Sequence, residues 1–286
     1  FAARLRGASR IPEVHQLWLP PITGDKAANN DPEIWLTAHY CATSDFWNWN
    51  DNVFLESGSG AAPMLQALCE SPSRARIPRV VATNSLVVAY VALMMKERWT
   101  RLRKPDEDDW KTHIHFFGGE VDLEHGEAAP DPTLVGRASS LQRHEWLRDL
   151  NITHVIMRTS ALDPELGPGT INANSSTLKA WLMSYVLAEA SSRLTLVFEA
   201  SKLLEQVYVS ADEPVPGTRD ERYWKELLRS KRVHALVALA RPISDGDRQR
   251  VIGSLHRLEE LGAKCTVLQP DQTGEGVLVT GPSLVP

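Results

Sequence analysis

From Asn52 onward, apolar runs of strand length alternate with helical stripes. The run at 52–57 predicts a strand and 60–71 a helix; a β-rich run at 78–83 then leads into an apolar helix over about 85–99. Further strands are predicted at 112–117, 152–157, 194–198, 233–239 and 265–268, with an edge strand at 276–279. Helices are predicted near 137–149, 175–191, 223–231 and 244–261. The last is the best marked. Ser244 caps it with Asp247 three residues on, Gly262 ends it, and Val251, Ile252, Leu255, Leu258 and Leu261 share one face. Strands alternating with helices imply right-handed βαβ units. The predicted fold is therefore α/β, a mainly parallel sheet with helices on both faces.

Residues 1–50 break this pattern. They carry Trp18, Trp35, Trp47 and Trp49 among Pro12, Pro20, Pro21 and Pro32, with poor periodicity. They read as an irregular, partly helical arm whose tryptophans pack on the main domain, 51–286, or on a second subunit. Packing is a commoner use of such rings than a ligand platform.

A formal net charge of -5 gives no general attraction to nucleic acid or to an anionic membrane. The densest basic group, Arg98, Arg101, Arg103 and Lys104, sits beside Asp106, Glu107, Asp108 and Asp109 and reads as a solvated loop. Cys41, Cys69 and Cys265 are too few and too dispersed for a disulfide framework or a cysteine-rich zinc site, so a cytoplasmic setting is expected. The longest apolar run, 85–95, is too short to span a membrane. His113 and His115 alternate on one strand without a third ligand at metal spacing, so no metal and no cofactor are predicted. The first residue is Phe1 rather than Met, which leaves room for a preceding partner domain.

Candidate chemistry gathers where the predicted strands end. Ser57-Gly58-Ser59-Gly60 lies between a strand and a helix amino terminus. Glycines let the backbone turn and present N–H groups, serines add hydroxyls, and the helix end adds positive potential; together these favour a phosphate or carboxylate. A plain tight turn is the other reading. The lysine of a P-loop and the third glycine of a dinucleotide fingerprint are both missing. Thr83, Asn84 and Ser85 end the next strand, either to contact a polar ligand or simply to cap the following helix. Gly118, Gly119 and Glu120 form a turn or a close-approach segment with Glu120 on a sugar hydroxyl. Lys202 and Arg158 follow or end strands and are candidate phosphate cations; Asp163 and Glu165 lie in the loop after Arg158.

Taken in order, these segments resemble the carboxy-terminal effector domain of the DeoR family of bacterial sugar-metabolism regulators. Glu56-Ser57-Gly58-Ser59-Gly60 stands for the family's Asp-Ser-Gly-Thr-Thr-like loop. Thr83-Asn84-Ser85, Gly118-Gly119-Glu120 and Leu134-Val135-Gly136 match directly, and Glu199-Ala200-Ser201-Lys202 stands for Asp-x-Ser-Lys. The resemblance covers about residues 50 to 270. It implies the Rossmann-like fold shared by ribose-5-phosphate isomerase, CoA-transferases and initiation-factor regulatory subunits. It also implies a phosphorylated sugar or related small phosphate as ligand. Ser57, Gly58, Ser59, Gly60 and Lys202 would hold the phosphate. Thr83, Asn84, Ser85, Gly118, Gly119, Glu120, Arg158 and Asp163 would line the rest. Glu56 and Glu199 replace aspartates and Gly60 replaces a hydroxyl residue, and segments near 100–111 and 121–132 are inserted. The family's winged helix is not recognisable in residues 1–50, so this segment alone is not expected to bind DNA.

The expected function is a non-catalytic sensor that regulates a partner domain or a homo-oligomer. The alternatives are a sugar-phosphate isomerase-like enzyme using Asp163, Glu165, Glu120 and Lys202, or a scaffold of the same fold that binds no ligand.

Overall fold

A computed structural model describes residues 31–47, 50–58, 60–70, 77–102, 111–117, 120–122, 127–129, 140–169, 173–205, 221–271 and 277–282. Its strands in chain order are β1 (Asn52–Leu55), β2 (Val80–Thr83), β3 (His113–Phe116), β4 (Glu120–Asp122), β5 (Glu127–Ala129), β6 (His154–Arg158), β7 (Ala161–Asp163), β8 (Gly167–Gly169), β9 (Arg193–Glu199), β10 (Val233–Ala238), β11 (Lys264–Pro270) and β12 (Val277–Thr280). Its helices are α1 (Pro32–Thr43), α2 (Ala61–Glu70), α3 (Leu86–Leu102), α4 (Ser140–Asp149), α5 (Ala173–Ala188), α6 (Glu221–Arg229) and α7 (Asp245–Leu261), with a 3-10 turn at Ala200–Leu203.

Eight strands share one sheet in the order β12-β11-β10-β9-β6-β1-β2-β3, and every neighbouring pair except β11–β12 is parallel. The fold is thus the mostly parallel, Rossmann-like α/β architecture expected. The inner strands are apolar on both faces because helices cover both. Phe54, Val155, Met157, Leu196, Phe198 and Val237 point into one buried cluster shared with α5, α6 and α7. Their neighbours Val53, Leu55, Ile156, Val197, Leu236 and Ala238 point into another, shared with α1, α2 and α3. The switch of face at each residue is the period of a strand.

The arm contributes to the second cluster. Asp31 caps α1 by accepting from the Glu33 N–H at 2.9 Å, with Pro32 in the first turn. Trp35 and Trp47 are buried there beside Leu36 and Cys41. Trp18 and Trp49 lie outside the described residues.

The caps of α7 form as its sequence predicts. Ser244 accepts from the Asp247 N–H at 3.2 Å, and Gly262 closes the helix at φ 113°. A side chain at position 262 would also run into the Leu228 carbonyl. Gly262→Ala is therefore expected to lower the unfolding free energy in urea by about 1–3 kcal/mol; an unchanged midpoint would show that the α6–α7 packing absorbs the methyl group.

One strand and two loop segments differ from the sequence pattern. The predicted strand 152–157 starts and ends later, as β6, because Arg158 continues the ladder opposite Val197 of β9. The segments after Arg158 and Phe117 read as loops but hold the hairpins β7–β8 and β4–β5. Three-residue strands leave almost no alternation to detect, and Gly167-Pro168-Gly169 are poor strand formers.

Candidate functional site

The chain steps outward from β1 to β2 and β3, returns beside β1 at β6, and then moves the other way through β9, β10 and β11. Loops leaving β1 and β6 therefore diverge. The crevice that this reversal opens beyond the carboxyl ends of the strands is the usual ligand position in such sheets.

Glu56, the first residue past β1, donates its N–H to the Ile156 carbonyl at 3.0 Å. Its carboxylate is buried and paired with Lys179 of α5. It also accepts from the Arg158 N–H at 3.1 Å, while Lys179 Nζ donates to the Arg158 carbonyl at 2.6 Å. One buried ion pair thus ties β1, β6 and α5 together directly beneath the switch point. Lys179 was not among the residues the sequence pointed to. The only signal is a lysine flanked by Leu178, Ala180, Trp181 and Leu182, all buried.

Ser57 is anchored from the other side. The Ser57 N–H donates to Asn84 Oδ1 at 2.9 Å, and Asn84 Nδ2 donates to Ser57 Oγ at 3.2 Å. Thr83 and Ser85 act locally: Thr83 Oγ1 accepts from the Ser85 N–H at 3.0 Å, and Ser85 Oγ accepts from the Val88 N–H at 3.3 Å, capping α3. Both are buried, as Asn84 is.

Arg158 lies across the bend. Gly58 has φ 144°, and a side chain there would press on the Arg158 aliphatic stem at 3.1–3.3 Å. One at Gly60 would collide with the guanidinium itself. The glycines therefore make room for the arginine as well as permitting the turn. The guanidinium pairs with Glu199 at the end of β9, and both side chains are largely buried. Burial pushes the Glu199 carboxyl up, but the Arg158 guanidinium, its own backbone N–H and, less strongly, Lys202 outweigh this and hold it below its ordinary value.

Lys202 sits in the 3-10 turn that follows β9, on the same edge of the sheet, with Nζ 2.8 Å from Glu205 Oε1. Glu33 of α1 reaches the same edge. Burial first, then Asp31 and Glu199, raise its carboxyl, against the pull of Arg241.

The remaining candidates stand elsewhere or outside the described residues. Asp163 Oδ1 accepts from the Glu165 and Leu166 N–H groups at 2.8 and 3.0 Å and so shapes the β7–β8 turn. Glu165 pairs with Arg257 of α7 at 2.6 Å. The Glu120 backbone opens β4 opposite Ala129. Ser59, Gly118, Gly119 and the Leu134-Val135-Gly136 segment lie outside the described residues. His113 is exposed and His115 half-buried on β3, and among the described residues no three His, Cys, Asp or Glu side chains group to hold a metal ion. Cys41 and Cys265 are buried free thiols. No described helix is long and apolar enough to cross a membrane.

The switch point thus gathers the Arg158 guanidinium, paired with Glu199, beside Gly58 and Gly60, with Lys202 on the turn after the neighbouring strand; a guanidinium presents two parallel donors where an ammonium is a point charge. No protein-family model matches this chain, and no curated protein matches it in sequence. The fold defines its class: an α/β protein with a mostly parallel, Rossmann-like sheet, here with buried and partly buried ion pairs at the switch point.

Proposed function

We propose that this chain is a non-catalytic sensor domain that binds a phosphorylated sugar or a related small phosphate. Binding regulates a partner domain or an oligomer, in the manner of the DeoR-family effector domains whose ordered motifs it shares. The observation that carries the reading is the side-by-side placement of the 57–60 bend and Arg158 at the switch point between β1 and β6. A cation already in van der Waals reach of a glycine bend suits phosphate better than a neutral sugar. The sensor is favoured over an isomerase because two of the three carboxylates that would serve as bases are committed elsewhere, Asp163 to its own turn and Glu165 to Arg257.

Thermal unfolding against a panel of sugar monophosphates, inorganic phosphate and nucleotides tests this. At a hundredfold excess over its dissociation constant, a ligand of the folded state adds about 2.7 kcal/mol of stability. Stabilisation by one or more monophosphates is expected, and Arg158→Met is expected to abolish it. No stabilisation across the panel would leave a scaffold that binds no phosphate. Turnover of a stabilising sugar phosphate would make the protein an enzyme.

A further inference from the structure

The cations that reach the crevice from the described residues are already matched by carboxylates: Lys179 by Glu56, Arg158 by Glu199 and Lys202 by Glu205. These pairs differ in what they do. Glu56–Lys179 is bonded to the backbone on both sides and fixes the strands. Lys202–Glu205 is a partly exposed pair three residues apart, of the kind that contributes little. Arg158–Glu199 alone lies against the bend and joins the ends of two neighbouring strands, β6 and β9.

We propose that Arg158 and Glu199 form a latch at the site of the sensor reading, on which this inference rests: an oxyanion in the bend and the Glu199 carboxylate compete for one guanidinium, so binding frees Glu199. The geometry supplies the means. The arginine stem already runs past Gly58 to Gly60, so a short rotation of the guanidinium exchanges the carboxylate for an oxyanion without moving the backbone. The geometry also supplies a route outward. Glu199 immediately precedes the 3-10 turn Ala200–Leu203, which packs on α7 and on β7. Release of Glu199 removes the side-chain tie between β6 and the residue that leads into that turn, and the two elements packed on the turn are the ones able to report the change.

Competition sets a sign that a plain binding residue would not show. If Glu199 holds the guanidinium away from ligand, the apparent dissociation constant is raised by the fraction of time it does so. Glu199→Gln removes the competitor and should tighten binding of inorganic phosphate, titrated calorimetrically into the whole chain, by about tenfold, the factor corresponding to one charge-assisted hydrogen bond. Glu199→Asp, with a shorter reach, should tighten it less and serves if the glutamine variant folds poorly. Glu33→Gln removes a nearby negative charge that does not hold Arg158, and should change the affinity less than about threefold. If the parent chain binds phosphate and Glu199→Gln binds it equally or more weakly, or if Glu33→Gln tightens binding as much, the latch is wrong and the sensor reading stands. If neither the parent nor Glu199→Gln binds phosphate, the sensor reading fails and the latch falls with it.

Discussion

Lys179→Met is expected to lower the unfolding free energy by about 3–5 kcal/mol, the loss typical when one partner of a buried ion pair is removed. The side chains of Glu56 and Lys179 are 1% and 7% exposed, so neither charge has water to fall back on. Methionine fills much the same volume, so the loss comes from the stranded carboxylate and not from a cavity. Glu56→Gln/Lys179→Met should recover most of it. The amide is neutral, and its oxygen still accepts from the Arg158 N–H. Urea unfolding of the two single variants and the double variant measures the coupling directly. A double variant no more stable than Lys179→Met would mean that the cost lies in α5 packing and not in charge. Because Lys179 also holds the Arg158 carbonyl, the single variant should weaken phosphate binding even where it remains folded.

The sheet was legible because parallel strands buried on both faces appear as unbroken apolar runs. The runs Val80-Val81-Ala82 and Leu194-Thr195-Leu196-Val197-Phe198 leave little room for another reading. The ends of α7 were legible for a different reason: Ser244 and Gly262 act within a few residues of the bonds they make. The crevice was legible only in outline. Composition shows that Ser57, Asn84, Arg158 and Lys202 end strands, but not which strands are neighbours, and that order decides the contacts. Glu199 meets Arg158 across 41 residues and Glu56 meets Lys179 across 123, distances at which no local pattern operates. A lysine in an apolar helix ordinarily lays its stem along apolar surface and keeps its charge in solvent, which is why Lys179 does not stand out. In the sequence Gly60 is a turn residue that would also hold phosphate. That a side chain there would strike Arg158 follows only from the way β6 lies beside β1. Lys202 and Arg158 are both candidate phosphate cations in the sequence; Arg158 lies against the bend and Lys202 beside Glu205.

Acid is expected to destabilise this protein well before its carboxylates titrate, because two histidines at the opposite end of the sheet are held neutral. His154 opens β6, fully buried against Phe46. Arg193 Nη2 donates to its Nδ1 at 3.1 Å, and since a guanidinium only donates, the proton of the neutral ring belongs on Nε2, 2.8 Å from Thr195 Oγ1. Burial, then Arg193 and His234, hold His154 well below its ordinary value. His234 on β10 bonds Thr266 at 2.8 Å; burial, then Lys264 and Arg193, lower it to about 4. Asp51, which accepts from Arg193 at 3.0 Å, is the carboxylate that offsets part of this positive charge. In the unfolded chain both rings take up protons as the pH falls through about 6.5. The folded chain refuses them until about 4 at His234 and lower at His154, so stability is complete above pH 6.5 and drains away below it. Between pH 7.5 and 5 the loss should be on the order of 2 kcal/mol for each histidine. That window stays above the range of Glu199, whose carboxyl is held below its ordinary value; Glu33, whose carboxyl is raised, is common to parent and variant, so the difference between them reports the histidines. In His154→Gln/His234→Gln the amides keep bonds to Thr195 and Thr266 but cannot titrate. The urea-unfolding free energy of this variant should therefore be nearly flat over the same interval. A parent chain equally stable at pH 7.5 and 5, or a variant as acid-sensitive as the parent, would place these rings in contact with solvent and remove the basis for the effect.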